Sequence, residues 1–274
     1  MQRLKMTIDT YRLQRLEQMG LGPVWALRAP SQAIGPESSA TDTAHEPELA
    51  QVVQRTVAIA NASTSTGTSA STTESGIAGM DWDTLEATIR QCTQCGLCQA
   101  RTHAVPGVGD RKARWLFVGE GPGRNEDLQG EPFVGPAGKL LDNMLRALGM
   151  ARGENTYIAN IVKCRPVGAD GRDRPPAPDE VAACMPYLQR QIALIQPDVI
   201  IALGKTAAVS LLGLSEDTAL ASLRGKLHSH AGIPLVVTYH PAYLLRKPAD
   251  KAKSWQDLCL AQRLYDGRDG RNAH

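Results

Sequence analysis

At 274 residues and 42% hydrophobic, with 30 basic against 28 acidic side chains, the chain has material for one sizeable core plus an appendage, and its net charge of +2 does not by itself point to a polyanionic partner. No apolar run reaches the roughly 18 residues of a membrane span, and the first 30 residues lack the order of a signal peptide. The expectation is therefore a soluble, cytoplasmic protein with no membrane partner, whose six cysteines are metal ligands or bystanders rather than disulfides.

In chain order, residues 1–26 hold one predicted helix, Thr7 to Met19, with Tyr11, Leu13, Leu16 and Met19 on an apolar stripe. Residues 27–80 change character. Pro30, Pro36 and Pro47 precede a Ser/Thr-rich run from Asn61 to Gly76, which buries too little apolar surface to offset its ordering entropy. This segment is expected to be a flexible linker, with a transient helix over Leu49 to Ala60.

From Trp82 the pattern is that of an α/β domain, placed at residues 81–266, with 267–274 as a disordered tail. A helix over Asp83 to Arg90 leads to the cysteines, and four apolar runs predict strands: Trp115 to Val118, Tyr157 to Ala159, Val199 to Leu203 and Leu235 to Thr238. Helices are expected over Ala137 to Leu148, Asp179 to Ile195, with Asp179 as N-cap, and Lys205 to Leu212. Alternation at this spacing predicts a three-layer α/β/α sandwich around a mostly parallel, four-stranded sheet.

The stretch from Trp115 to Gly138 carries the most information. A short apolar strand runs into a loop with Glu120, Glu126, Asp127, several glycines and Phe133, one of two phenylalanines in the chain. Ligands of α/β sheets are held at strand tips, and glycine there lets backbone approach a substrate. Asn160 and His240 end the second and fourth strands, so an amide, an imidazole, carboxylates and an aromatic ring share one sheet edge. Each also has a bland role open to it: Asn160 as a turn cap, His240 as a core histidine, and Glu126 and Asp127 as helix-start acids.

Of the cysteines, Cys92 and Cys95 form a CxxC chelating pair, and Cys98 extends the run without the fourth cysteine that a ferredoxin-type sequence needs. Cys164 follows a predicted strand and Cys184 lies on a predicted helix. Four thiolates from three places fit either zinc or a [4Fe–4S] cluster, whereas Cys259 reads as a small core residue.

Gly119-Glu-Gly-Pro-Gly-x-x-Glu-Asp127, Pro132-Phe-Val-Gly-x-Ala-Gly138, Asn160-Ile-Val-Lys-Cys-Arg-Pro166 and His240-Pro-Ala-Tyr-Leu-Leu245 occur in this order. Over about Trp82 to Leu264 the chain resembles the family 4 uracil-DNA glycosylases, the iron–sulfur branch of that superfamily. The resemblance implies a [4Fe–4S] cluster on Cys92, Cys95, Cys164 and Cys184, with Cys98 left out. It also implies a base-excision-repair enzyme that flips uracil from single- or double-stranded DNA and hydrolyses its N-glycosidic bond.

Under that resemblance Phe133 stacks on the flipped base, Gly121 lets backbone approach it, Asn160 reads its N3–H and O4, and His240 donates to its O2. Glu126 is the first choice for water and sugar, with Glu120 second and Asp127 third. Leu244 and Leu245 form the wedge, with burial of one of the two in a strand-to-helix connection as the bland reading, while Arg246 and Lys247 meet phosphates, with Arg224, Lys226 and Lys205 as further phosphate candidates.

The protein is expected to act as a monomer, associated with the nucleoid through DNA, and its N-terminal helix is a candidate contact for a replication or repair protein. Two alternatives stay open: a related superfamily glycosylase acting on a broader range of deaminated bases, and a noncatalytic iron–sulfur DNA-binding module.

Overall fold

A computed structural model of the chain describes the backbone of residues 76–272 and side chains as far as Asp266. The predicted helix Thr7 to Met19, the segment Leu49 to Ala60 and nearly all of the expected linker lie outside the described residues. Among the described residues a helical turn over 76–78 precedes the expected domain boundary at 81, and its Ile77 is 3% exposed and belongs to the core.

Among the described residues the strands are β1 (Val108–Gly109), β2 (Trp115–Gly119), β3 (Thr156–Asn160), β4 (Val199–Leu203), β5 (Leu227–His230) and β6 (Ile233–Thr238). They form one sheet in the order β1-β3-β2-β4-β6-β5. The sheet therefore has six strands where the sequence predicts four. β2, β3, β4 and β6 are the expected four and pair in parallel, while β1 and β5 add antiparallel edges. β1 has two residues and β5 alternates half-buried with exposed positions, so neither contains an apolar run.

The principal helices are α1 (Trp82–Gln91), α2 (Arg124–Gln129), α3 (Pro136–Ala147), α4 (Pro178–Ile195), α5 (Lys205–Leu212), α6 (Leu220–Leu223), α7 (Pro241–Arg246) and α8 (Lys251–Asn272). α8 continues past 266, where the tail was expected to begin. Asp81 caps α1 by accepting the Thr84 amide at 2.9 Å. α4 begins at Pro178 itself, with Ala177 rather than Asp179 as N-cap: proline suits the first helical position because no intrahelical acceptor awaits its nitrogen. Glu180 closes that end, accepting the Ala177 amide at 2.7 Å and pairing with Arg174 at 2.6 Å.

Alternate residues of the strands feed two cores. Leu116, Val118, Ile200 and Ala202 face α1, α4 and α5 on one side; Trp115, Phe117, Val199 and Ile201 face α3, α7 and α8 on the other. All residues of β2, β3 and β4 are buried, as a parallel sheet covered on both faces requires. Each large side chain so buried contributes on the order of 1.5–3 kcal/mol. The three-layer α/β/α arrangement is that expected from the sequence.

Candidate active site

The parallel register sets the carboxyl tips of the strands side by side, with Gly119 of β2 opposite Asn160 of β3 and Leu203 of β4 opposite Thr238 of β6. Above these tips lies a pocket of about 500 Å³, walled by Glu120, Gly121, Glu126, Phe133, Asn160 and His240. Lys205, Tyr243, Arg246 and Arg174 also line it.

Asn160 is 2% exposed, and its Oδ1 is a buried acceptor with no partner among the described residues. Leaving such an atom unpaired costs roughly 1–3 kcal/mol. The room beside it depends on Gly119, because a Cβ there would stand 2.4 Å from that oxygen and 2.7 Å from Cζ of Phe133.

Phe133 adopts a left-handed backbone, φ 56°, which is strained for a phenylalanine. Three contacts hold it. Oε1 of Glu126 accepts the amides of Val134 and Gly135, both at 3.0 Å. The guanidinium of Arg152 donates to the carbonyls of Pro132 and Phe133, at 2.8 and 2.7 Å, and to Asp142 at 2.9 Å. Gly138, in the first turn of α3, lets the helix pack onto the Phe133 carbonyl, 1.6 Å from where a Cβ would sit. The ring lies against the imidazole of His240, with centroids 5.5 Å apart and planes at 28°.

His240 caps α7, its Nδ1 accepting the Ala242 amide at 3.1 Å. An acceptor at Nδ1 places the proton of the neutral ring on Nε2. Burial, aided by the Arg246 charge, pushes the histidine down to about 4, so the ring is neutral at pH 7.

The acids divide differently from the sequence expectation. Glu120 and Glu126 line the pocket, and Oε2 of Glu120 accepts the Thr206 hydroxyl. Asp127 does not line it: the residue is 4% exposed and accepts the amides of Thr102 and His103 at 2.8 and 3.3 Å, anchoring the chain that leaves the cysteine loop. Asp127 is therefore removed from the candidates for water.

The wedge also needs correction. Leu244 is fully buried in the core beneath α7, whereas Leu245 is 44% exposed, because consecutive helical residues point about 100° apart. Arg246 is exposed at the pocket rim. Arg224, a phosphate candidate by sequence, is only 10% exposed and is spent on the buried carboxylate of Asp257 at 2.7 Å. Arg152 escaped the sequence reading, since one arginine in a turn carries no signal of the carbonyls it clamps.

Between the end of α1, the turn that follows it, the turn after β3 and α4 lies a second cavity, lined by Cys92, Cys95, Cys98, Cys164 and Cys184. None of these forms a disulfide. Cys98, which the sequence reading left out, joins the other four, while Cys259 lies on α8. The sulfurs receive donors from the protein: Arg101 to Cys164 at 3.1 Å, the Lys163 amide to Cys184 at 3.3 Å and the Gln94 amide to Cys92 at 3.5 Å. Burial raises the Cys95 and Cys164 thiols and pushes Cys184 up to about 12. Among the described residues no three His, Cys, Asp or Glu side chains are grouped tightly enough for a single metal ion.

Residues 106–259 match the family model described as the uracil DNA glycosylase superfamily. The chain is 44% identical over 172 residues to a type-4 uracil-DNA glycosylase of Archaeoglobus fulgidus, covering 61% of this chain and 84% of that protein. It is 43% identical over 187 residues to the type-4 uracil-DNA glycosylase of Pyrobaculum aerophilum, covering 66% of this chain and 93% of the other. Its identity to that of Thermotoga maritima is 43% over 166 residues, 60% of this chain and 83% of the relative. A family match over more than half of the chain, together with relatives this similar over most of their own length, shows that the chain belongs to the uracil DNA glycosylase superfamily, in its type-4 branch.

Proposed function

We propose that this protein excises uracil from DNA by hydrolysing the N-glycosidic bond, the activity named for its relatives. The observation that carries the reading is the orphaned Oδ1 of Asn160, buried at the base of a pocket beside a stacked Phe133–His240 pair. An amide there accepts N3–H and donates to O4 of uracil, whereas cytosine presents an unprotonated N3 and an amino group instead.

A base inside a duplex cannot reach such a pocket and must be flipped out, at a cost of a few kcal/mol. Stacking on the Phe133 ring returns about 1–3 kcal/mol. As the bond from C1′ to N1 breaks, its electron pair passes to uracil, and charge develops on O2 and O4. The Nε2–H of neutral His240 is the donor for O2, and the Asn160 amide is the donor for O4. Water then attacks the cationic C1′, and the proton it gives up passes by way of a carboxylate or solvent to the uracil anion, leaving an abasic sugar and neutral uracil.

Glu120 and Glu126 are the carboxylates available to the water and the cationic sugar. Glu126 already holds two loop amides with Oε1, so we assign it chiefly to loop closure and Glu120 to the water. Leu245 takes the wedge position, and Arg246 and Lys205 at the rim are phosphate contacts.

The cysteine cavity fits the [4Fe–4S] cluster expected of this branch. Buried thiols with raised pKa values remain neutral unless positive charge arrives among them, and Cys92, Cys95, Cys164 and Cys184 line one cavity. Cys92, Cys95, Cys164 and Cys184 would hold the cluster, with N–H donors from Arg101 and Lys163 around it. When bound, the cluster supplies a covalent tie between the 92–98 turn, the turn after β3 and α4.

The test is uracil release from an oligonucleotide by purified protein, alongside iron content and absorbance near 400 nm. Release of uracil and iron in the purified chain support the reading; zinc with no visible absorbance contradicts the cluster, and intact DNA contradicts the activity.

A further inference from the structure

Lys163 is 1% exposed, and its ammonium has two neutral acceptors: the backbone carbonyl of Asn160 at 2.8 Å and Oε1 of Gln191 at 2.7 Å. Gln191 is held in turn, donating to the Pro106 carbonyl at 2.9 Å. The backbone of Lys163 is fixed on both sides. Its N–H donates to Sγ of Cys184 at 3.3 Å, and its carbonyl accepts the Val105 amide at 2.7 Å.

Residues 160–163 make the turn that leaves β3. In an ordinary four-residue turn the fourth N–H would bond the first carbonyl. Here the fourth residue gives its N–H to a thiol of the cysteine cavity and supplies the missing donor to the Asn160 carbonyl from its own side chain. Without that ammonium the buried carbonyl would lose a charged donor at 2.8 Å. One residue thus touches the cysteine cavity with its backbone and the base-reading asparagine with its side chain.

We infer that Lys163 is a positioning residue for Asn160, linking the turn hydrogen-bonded to Cys184 at the cysteine cavity to the amide that reads the base. The inference rests on the uracil-excision reading of the pocket. Lys163 touches no substrate: it acts by fixing the strand tip from which the Asn160 side chain projects.

Lys163→Met keeps the length and the backbone N–H to Cys184 and removes the donor. It is expected to lower kcat/KM on a uracil oligonucleotide about 10- to 100-fold, the scale of a misplaced contact in an active site, with iron content and 400 nm absorbance retained. In an Asn160→Ala background the same substitution is expected to cost less than about twofold, because the partner through which it acts is gone. Amide exchange over 157–163 is expected to rise.

An equal loss in both backgrounds, loss of iron in step with activity, or unchanged exchange would each overturn the inference. If Lys163→Met does not fold, Gln191→Met, which removes the acceptor that aims the amine, is read by the same coupling and exchange measurements. If the wild-type protein releases no uracil, the reading of the pocket fails, and exchange over 157–163 still decides the role of Lys163.

Discussion

His240 is a neutral ring with its proton on Nε2 because two constraints agree: the Ala242 amide occupies Nδ1, and burial holds the ring near 4. An unfolded histidine titrates near 6.5, so between about 4 and 6.5 the unfolded chain binds more protons than the folded one. The contribution of His240 to stability is therefore complete above pH 6.5 and is lost as pH falls toward 4. Excision should follow the same logic. Wild-type kcat is expected to stay flat from pH 8 to about 5, whereas a midpoint near 6.5 in the pH profile would show an exposed, ordinary histidine. At the acids, Glu120→Gln is expected to lower kcat, and Glu126→Ala, which removes the oxygen that accepts the Val134 and Gly135 amides, chiefly to raise KM; steady-state kinetics on a short oligonucleotide separates the two.

The loop between β2 and α3 shows what an element adds beyond its residues. Motif and strand-tip position together assigned Phe133, Asn160, His240 and Glu126 to one sheet edge, and the four line one pocket: Asn160 and His240 follow apolar runs, and Glu126 and Phe133 lie in the loop after one. Arg152 was not legible, because its hydrogen bonds go to carbonyls 19 and 20 residues away, and neither was the burial of Asp127; that one of Leu244 and Leu245 is buried was legible, but which one depends on the face that α7 turns inward. Edge strands β1 and β5 escaped for the same kind of reason: their pairing is made by neighbours, not by an apolar pattern of their own. Removing the Arg152 clamp should slacken the loop, so Arg152→Ala is expected to raise KM and to destabilise the fold by about 1.5–3 kcal/mol in a urea titration. Gly119→Ala is expected to fold but to lose excision, its methyl taking the space between Asn160 and Phe133.

At the scale of the molecule, the fold holds two cavities, one at the strand tips lined by Asn160, Phe133 and His240 and one lined by thiols, with the turn over 160–166 contributing residues to both. Cys184→Ala is expected to lose iron and to lower the melting temperature, while Cys259→Ala, on α8, changes neither. Every group assigned to chemistry lies between Cys92 and Arg246, so a chain beginning at residue 76 is expected to match full-length kcat on a short oligonucleotide. The central claim is that Asn160, Phe133 and His240 form a uracil-reading site. It is tested most directly by incubating iron-replete protein with oligonucleotides bearing a single uracil or a single cytosine at the same position, and measuring released base and alkali-labile sites. The account predicts free uracil and strand cleavage only for the first, with Asn160→Ala slower by about 100-fold or more; release of cytosine, or wild-type rates from Asn160→Ala, would contradict it.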